Sequence, residues 1–396
     1  MRILHIIASM DPASGGPAEG ILRQAEACSR AGLDVEREVV TLDVPGSPYL
    51  SSVPLTVHAL GRAKRNSKNI AHRALDYYRY SPDLTPWLRN NLKNYDVSIV
   101  HGLWNYASFA SSKTLPNSNM PYFVFPHGMM DPWFRRSAPV KHIGKQIFWL
   151  IAEGKLLSKA RNVFFTSEEE LRQSYKTFWG HNYTGRVVGY GTGGSPFDPE
   201  RAKASFASSM PSIAGKPYFL FLSRIHPKKG ADLLVEAFAR VSDARPDLQL
   251  VIAGPDQVGI RQQLEERVQS LGLGDRIHWA GMVSGEQKWG AYAGAEAFVL
   301  PSHQENFGIV VAEALSCGVP VLISDKVNIW REVSNSKAGI VAPDTLAGTV
   351  DLMQTWNSFP PNIKAEMAVA ARSLFEMSFN TENTGPALVR TIRSIA

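Results

Sequence analysis

The chain has 396 residues, 44% of them hydrophobic and 20% charged, with a formal net charge of +6 and two cysteines. That composition belongs to a globular protein with ample core; it excludes a disordered chain or a disulfide framework, and no run approaches the roughly 18 apolar residues of a membrane span. The charge is uneven: the first 200 residues hold 23 Lys+Arg against 17 Asp+Glu and the rest 19 of each, so the first half favours an anionic surface or partner, or simply carries a solvated basic face.

In chain order, short apolar runs alternate with amphipathic stretches. Strands are expected at Arg2–Ala8, Asp34–Thr41, Val97–His101, Tyr122–Pro126, Asn162–Thr166 and Arg186–Tyr190. The opening run is too short and too plainly flanked for a secretory leader and reads as a buried first strand. A helix is expected at Pro17–Ala31, with Pro at its start and Gly32 after its end. The second half repeats the rhythm, with strands at Tyr218–Ser223, Gln249–Ala253, Arg276–Trp279, Ala297–Pro301, Pro320–Ser324 and Gly339–Val341. Helices fall between them at about Gly230–Val241, Gly259–Leu271, Gly285–Ala293, Gly308–Cys317 and Leu346–Trp356, and the tail from about Pro360 reads as helical. Such alternation implies two parallel sheets, each covered on both faces, with ligands at the carboxyl ends of the strands. Gly191–Lys216, rich in Gly, Ser, Pro and Ala, is the expected linker. Cys28 and Cys317 lie far apart inside expected helices, as small core residues of a reducing, cytoplasmic compartment.

Chemistry concentrates in LPSHQENFGIVVAEALSCGVPV, residues 300–321. A strand ends, a polar loop carries Glu305, and a helix starting near Gly308 carries Glu313. Gly308 lets backbone approach a ligand, and the free N–H groups of the first turn suit a pyrophosphate. Glu313 could accept from ribose hydroxyls, or be a solvated helix residue. Upstream, FLSRIHPKKGAD places Arg224 and Lys229 in a strand-to-helix loop, where paired cations would stabilise the charge of a departing diphosphate. Ser14-Gly15-Gly16-Pro17 forms a Gly-rich turn after the first strand, and His127 ends another strand in FPHGMMD, with Asp131 and His101 as weaker candidates.

These residues resemble the E-x(7)-E signature and the R-x(4)-K element of family four of the retaining glycosyltransferases, as found in bacterial exopolysaccharide and lipopolysaccharide sugar transferases. The resemblance implies a GT-B fold: α/β, with two Rossmann-like doubly wound domains facing across a cleft. It implies an N-terminal acceptor domain over 1–195, a sugar-nucleotide donor domain over 196–375, and helices 376–396 returning to the first. Glu305 would hold the transferred sugar and Glu313 the ribose, while Arg224 and Lys229 would hold the diphosphate. Backbone of Asn306, Phe307, Gly308, Gly15 and Gly16 would meet sugar or phosphates, Met282 the base, and His127 the sugar. No metal or other cofactor is expected, since the chain has no D-x-D. The usual P-N-G element is replaced by Gly189-Tyr190-Gly191, leaving that segment's role open. The implied partners are a nucleotide sugar, a glycan or lipid-linked acceptor and, through the basic stretch 135–161 with its Phe and Trp, an anionic membrane surface, against a core role for that stretch; no nucleic acid is expected. The alternatives are a non-catalytic sugar-nucleotide binder or membrane scaffold of the same fold, and a sugar-nucleotide epimerase.

Overall fold

The computed structural model describes residues 1–12, 16–65, 68–133, 135 and 138–396. The chain divides into one compact unit of Met1–Tyr190 with Thr381–Ala396, and a second of Gly191–Asn380.

The first unit is built on a seven-stranded sheet ordered β3-β2-β1-β4-β5-β6-β7. Its strands are β1 (Arg2–Ile7), β2 (Glu36–Thr41), β3 (Thr56–Ala59), β4 (Val97–His101), β5 (Tyr122–Phe125), β6 (Asn162–Phe165) and β7 (Gly185–Val187), and every pairing is parallel. The central strands are runs of Ile, Val and Phe that are buried end to end, as a parallel sheet covered on both faces requires. Leu4 and Ile6 enter one core with Val100, Val124 and Trp149. On the other face Ile3, Ile99, Phe123 and Phe164 pack with Leu388 and Ile392 of the C-terminal helix Thr381–Ile395. That helix is tied to helix Gly16–Arg30 by the Arg30–Glu382 ion pair. The edge strand β3 was not expected from the sequence.

The second unit carries a six-stranded parallel sheet ordered β10-β9-β8-β11-β12-β13. Its strands are β8 (Tyr218–Leu222), β9 (Gln249–Ala253), β10 (Ile277–Gly281), β11 (Ala297–Leu300), β12 (Val321–Ser324) and β13 (Gly339–Ala342). The expected linker is mostly structure. Pro199–Ser209 is a helix capped by the Asp198 side chain, and it packs on helix Gly285–Ala293, where a Cβ on Gly290 would meet the Ala202 carbonyl at 1.9 Å. Both sheets therefore share the doubly wound order, with the strand order reversing beside β1 and beside β8.

Residues 139–159 form one continuous helical run: α-helix Pro139–Phe148, a π-helical turn Trp149–Glu153 and α-helix Gly154–Lys159. Trp149, Ala152, Leu156 and Leu157 are fully buried, so the run does serve the core. Its opposite side is apolar as well. Ile143, Ile147 and Ile151, spaced four apart, are 62%, 58% and 59% exposed, with exposed Lys141, Lys155 and Lys159 around them.

Candidate functional site

In the second unit the loops after β8 and β11 are pressed together. Gly230 has φ +69°, and a Cβ there would sit 2.3 Å from the Pro301 carbonyl; only glycine allows that approach and that backbone. The Lys228 carbonyl accepts from the His303 N–H at 2.8 Å. Held this way, Lys229 is buried and its ammonium pairs with the Glu305 carboxylate. Glu305 is itself fixed by backbone: its N–H donates to Lys326 at 3.0 Å, and its carbonyl accepts from Asn328 at 3.1 Å. Arg224, in the same loop as Lys229, is exposed. The local field is positive: burial first, then Lys228, Arg224 and Lys229, push the His226 imidazole below its ordinary range.

Gly308 caps helix Ile309–Ser316 with φ +73°. A Cβ there would lie 3.2 Å from the Glu305 side chain and 3.4 Å from Val327, so the turn that delivers Glu305 to the helix head is specific to glycine. Glu313 is 7% exposed, which excludes a solvated helix residue. Its carboxylate accepts from the Lys288 ammonium at 2.7 Å and from the Tyr292 hydroxyl at 3.0 Å. Those two partners stand one turn apart on helix Gly285–Ala293. The Phe307 ring is buried edge-on against Phe379. Asn306 accepts from Asn328 at 3.4 Å, and Met282, just past β10, is 72% exposed.

In the first unit, Gly15 lies outside the described residues and Gly16 opens helix Gly16–Arg30. The Gly16 carbonyl accepts from the Tyr190 hydroxyl at 3.0 Å. Tyr190 also meets the His127 ring edge-on at 6.1 Å, so it links Gly16 to the histidine. No local pattern signals this, because Tyr190 sits where the family pattern departs. His127 adopts φ +50° and stacks on Phe125 and His101. The next residue's N–H, on Gly128, donates to Glu170 at 2.7 Å. The other Glu170 oxygen accepts from Thr166 backbone and hydroxyl at 2.8 and 2.7 Å, so Glu170 anchors the turn behind His127. Burial holds the His127 imidazole down at about 3, so it is neutral at ordinary pH. Asp131 accepts from the Trp133 N–H at 2.7 Å and serves its own turn. Among the described residues no cluster of three or more His, Cys, Asp or Glu has metal-site geometry.

Comparison with known proteins matches residues 15–191 to a family model described as "Glycosyl transferase 4-like domain" and residues 206–352 to "Glycosyl transferases group 1". Similar curated proteins include D-inositol 3-phosphate glycosyltransferase of Rhodococcus erythropolis, 29% identical over 51% of this chain and 46% of that one. Another is the lipopolysaccharide core biosynthesis mannosyltransferase LpsB of Rhizobium meliloti, 30% identical over 44% and 49%. The chain thus spans about half the length of these relatives. Sucrose-phosphate synthase from Thermosynechococcus elongatus superposes with a TM-score of 0.75 at 21% identity, covering 100% of this chain and 99% of that one. Anabaena HepE in complex with UDP and glucose gives 0.73 at 17%, covering 100% of both. These structural likenesses establish the fold.

Proposed function

The chain belongs to the group 1 glycosyltransferases of GT-B fold, and on that premise we propose that it moves a hexose from a nucleoside-diphosphate sugar to an acceptor hydroxyl with retention at the anomeric carbon. One arrangement carries this reading: Lys229 and Glu305 paired where the loops after β8 and β11 meet, at the head of the helix that carries Glu313. Arg224 and Lys229 are the cations for the leaving diphosphate. Charge placed where it develops, in a partly desolvated site, is the largest single lever on such a barrier. Free N–H groups at the head of helix Ile309–Ser316 add to it. Glu305 takes sugar hydroxyls, and Glu313, held in one orientation by Lys288 and Tyr292, takes the ribose. The β-phosphate accepts the acceptor's proton, and no metal is required because the two side-chain cations supply the positive charge.

The acceptor is a hydroxyl of a cell-surface glycan or a lipid-linked saccharide, a reading the lipopolysaccharide mannosyltransferase among the relatives supports. No helix among the described residues is long and apolar enough to cross a membrane. The exposed row Ile143, Ile147, Ile151 with its lysines is instead suited to lie in an anionic membrane interface. The deciding test is incubation of purified protein with UDP- and GDP-hexoses, read by thermal shift and by NMR of the product. The cognate donor raises the melting temperature, and transfer keeps the α configuration of the donor. An inverted product, or binding without donor turnover, would sink the reading.

A further inference from the structure

One face of the first sheet carries a row of polar side chains through otherwise apolar core. Arg37 of β2 stands beside Ile3 of β1; His5 stands between Val39 and Ile99; His101 stands between Ile7 and Phe125. His127 follows β5, so the row steps diagonally from β2 toward the carboxyl end of β5. The contacts are continuous. Arg37 Nη1 lies 3.4 Å from His5 Nε2, His5 Nδ1 lies 2.9 Å from His101 Nε2, and His101 Nδ1 lies 3.0 Å from His127 Nε2. Arg37 Nη2 donates to the Cys28 thiol at 3.3 Å. Arg37, His5 and His101 are 6%, 0% and 6% exposed.

The row has a direction. A guanidinium only donates, so His5 Nε2 must accept and the single proton of neutral His5 must sit on Nδ1. Burial, joined for His5 by Arg37, keeps all three imidazoles below their ordinary range, so each has one N–H to give. His5 Nδ1–H then donates to His101 Nε2, and His101 Nδ1–H donates to His127 Nε2. The last proton rests on His127 Nδ1, which has no protein partner among the described residues.

We propose that Arg37 is a positioning residue that fixes the tautomer of His127 through His5 and His101, so that His127 offers an N–H donor, and not a lone pair, to a sugar oxygen. This rests on the reading of His127 as a contact to the transferred sugar. It assigns His127 to hydrogen-bond donation and removes it as a general base. Arg37 is costly for a mere core filler: among the described residues this buried cation has no carboxylate partner, and its Nε is unsatisfied. Apolar residues would fill the space more stably. They could not set the direction of the row.

The test is long-range 1H–15N correlation NMR on the labelled full chain, which distinguishes the two neutral tautomers. His5, His101 and His127 are expected as single Nδ1–H forms. Arg37→Met should leave His127 a mixture of tautomers and lower kcat/KM about tenfold, one hydrogen bond's worth, with nucleoside-diphosphate binding unchanged. Arg37→Lys, which also only donates, should restore both. An Nε2–H proton on His127 in the wild-type chain overturns the proposal without any variant, as does an unchanged tautomer in folded Arg37→Met. If the wild-type tautomer is Nδ1–H but His127→Gln transfers at the wild-type rate, the relay stands and the sugar-contact reading falls.

Discussion

The two units share a strand order but treat their polar groups in opposite ways. In the second unit the groups are charged and paired: Lys229 with Glu305, Lys288 with Glu313. In the first they are neutral and hydrogen-bonded in sequence, from His5 through His101 to His127. Paired charges can be re-partnered by an incoming diphosphate, which competes for the same cations. Neutral imidazoles cannot answer a charge in that way, but they hold a defined donor at little electrostatic cost. The difference is one of chemistry: the second unit holds charges that an anion can re-partner, and the first holds fixed neutral donors.

The largest effect should come from breaking the charged side. Lys229→Ala is expected to lower kcat by roughly 10²–10³ and to lower the stability of the second unit, since Glu305 is left without its partner. Combining Lys229→Met with Glu305→Gln should recover melting temperature but not activity. If the double variant recovers activity, the pair is structural only. Next in size is Gly230→Ala, where the new methyl meets the Pro301 carbonyl in a left-handed backbone. A loss of about 2–3 kcal/mol is expected, read as an earlier unfolding transition of the second unit with the first unchanged.

The neutral side should be broken by acid. His127 has a native value of about 3 against about 6.5 unfolded, so between those values the unfolded chain binds the extra proton. Stability is therefore full above pH 6.5 and falls as the pH drops toward 3, by up to about 1.4 kcal/mol per pH unit for this histidine. His127→Gln should flatten that slope by about one proton in chemical denaturation across pH 4–7; an unchanged slope would mean His127 is charged in the native state. The smallest effect on the folded protein is expected from Ile147→Glu, within about 0.5 kcal/mol. It should nonetheless abolish sedimentation with anionic vesicles while leaving transfer to a soluble acceptor intact. Retained sedimentation would remove the membrane reading.

Much of this was legible in the sequence. Runs such as YFLFL and QLVIA have the length and the aromatic or β-branched content of buried parallel strands, and ENFGIVVAE carries its own turn, helix start and carboxylate spacing. What escaped depended on partners distant in the chain. Lys288 and Tyr292 had a faint signal, since their spacing puts them on one side of a helix, but nothing local points that side at Glu313. β3 is short, flanked by Ser and Pro, and at most half-buried, so it lacks the apolar run that marks its neighbours. The small residues of Gly191–Lys216 suggest a linker, whereas Ala202 and Gly290 use smallness to let two helices touch. The histidine row could not be seen without the register of β2, β1, β4 and β5. The stretch 135–161 reads in sequence as either core or membrane surface; Trp149, Ala152, Leu156 and Leu157 go to the core, while Ile143, Ile147 and Ile151 are exposed.

The route of the chain has a consequence for its synthesis. Leu388 and Ile392 complete a core whose other members, Ile3, Ile99 and Phe123 among them, emerge from the ribosome far earlier. Part of that face therefore stays uncovered while the whole of Gly191–Asn380 is made, although Ala18 and Ile21 already cover Ile7 and Val39 on it. The second unit, contiguous in sequence, can finish first. This reverses the usual amino-to-carboxyl order of domain maturation.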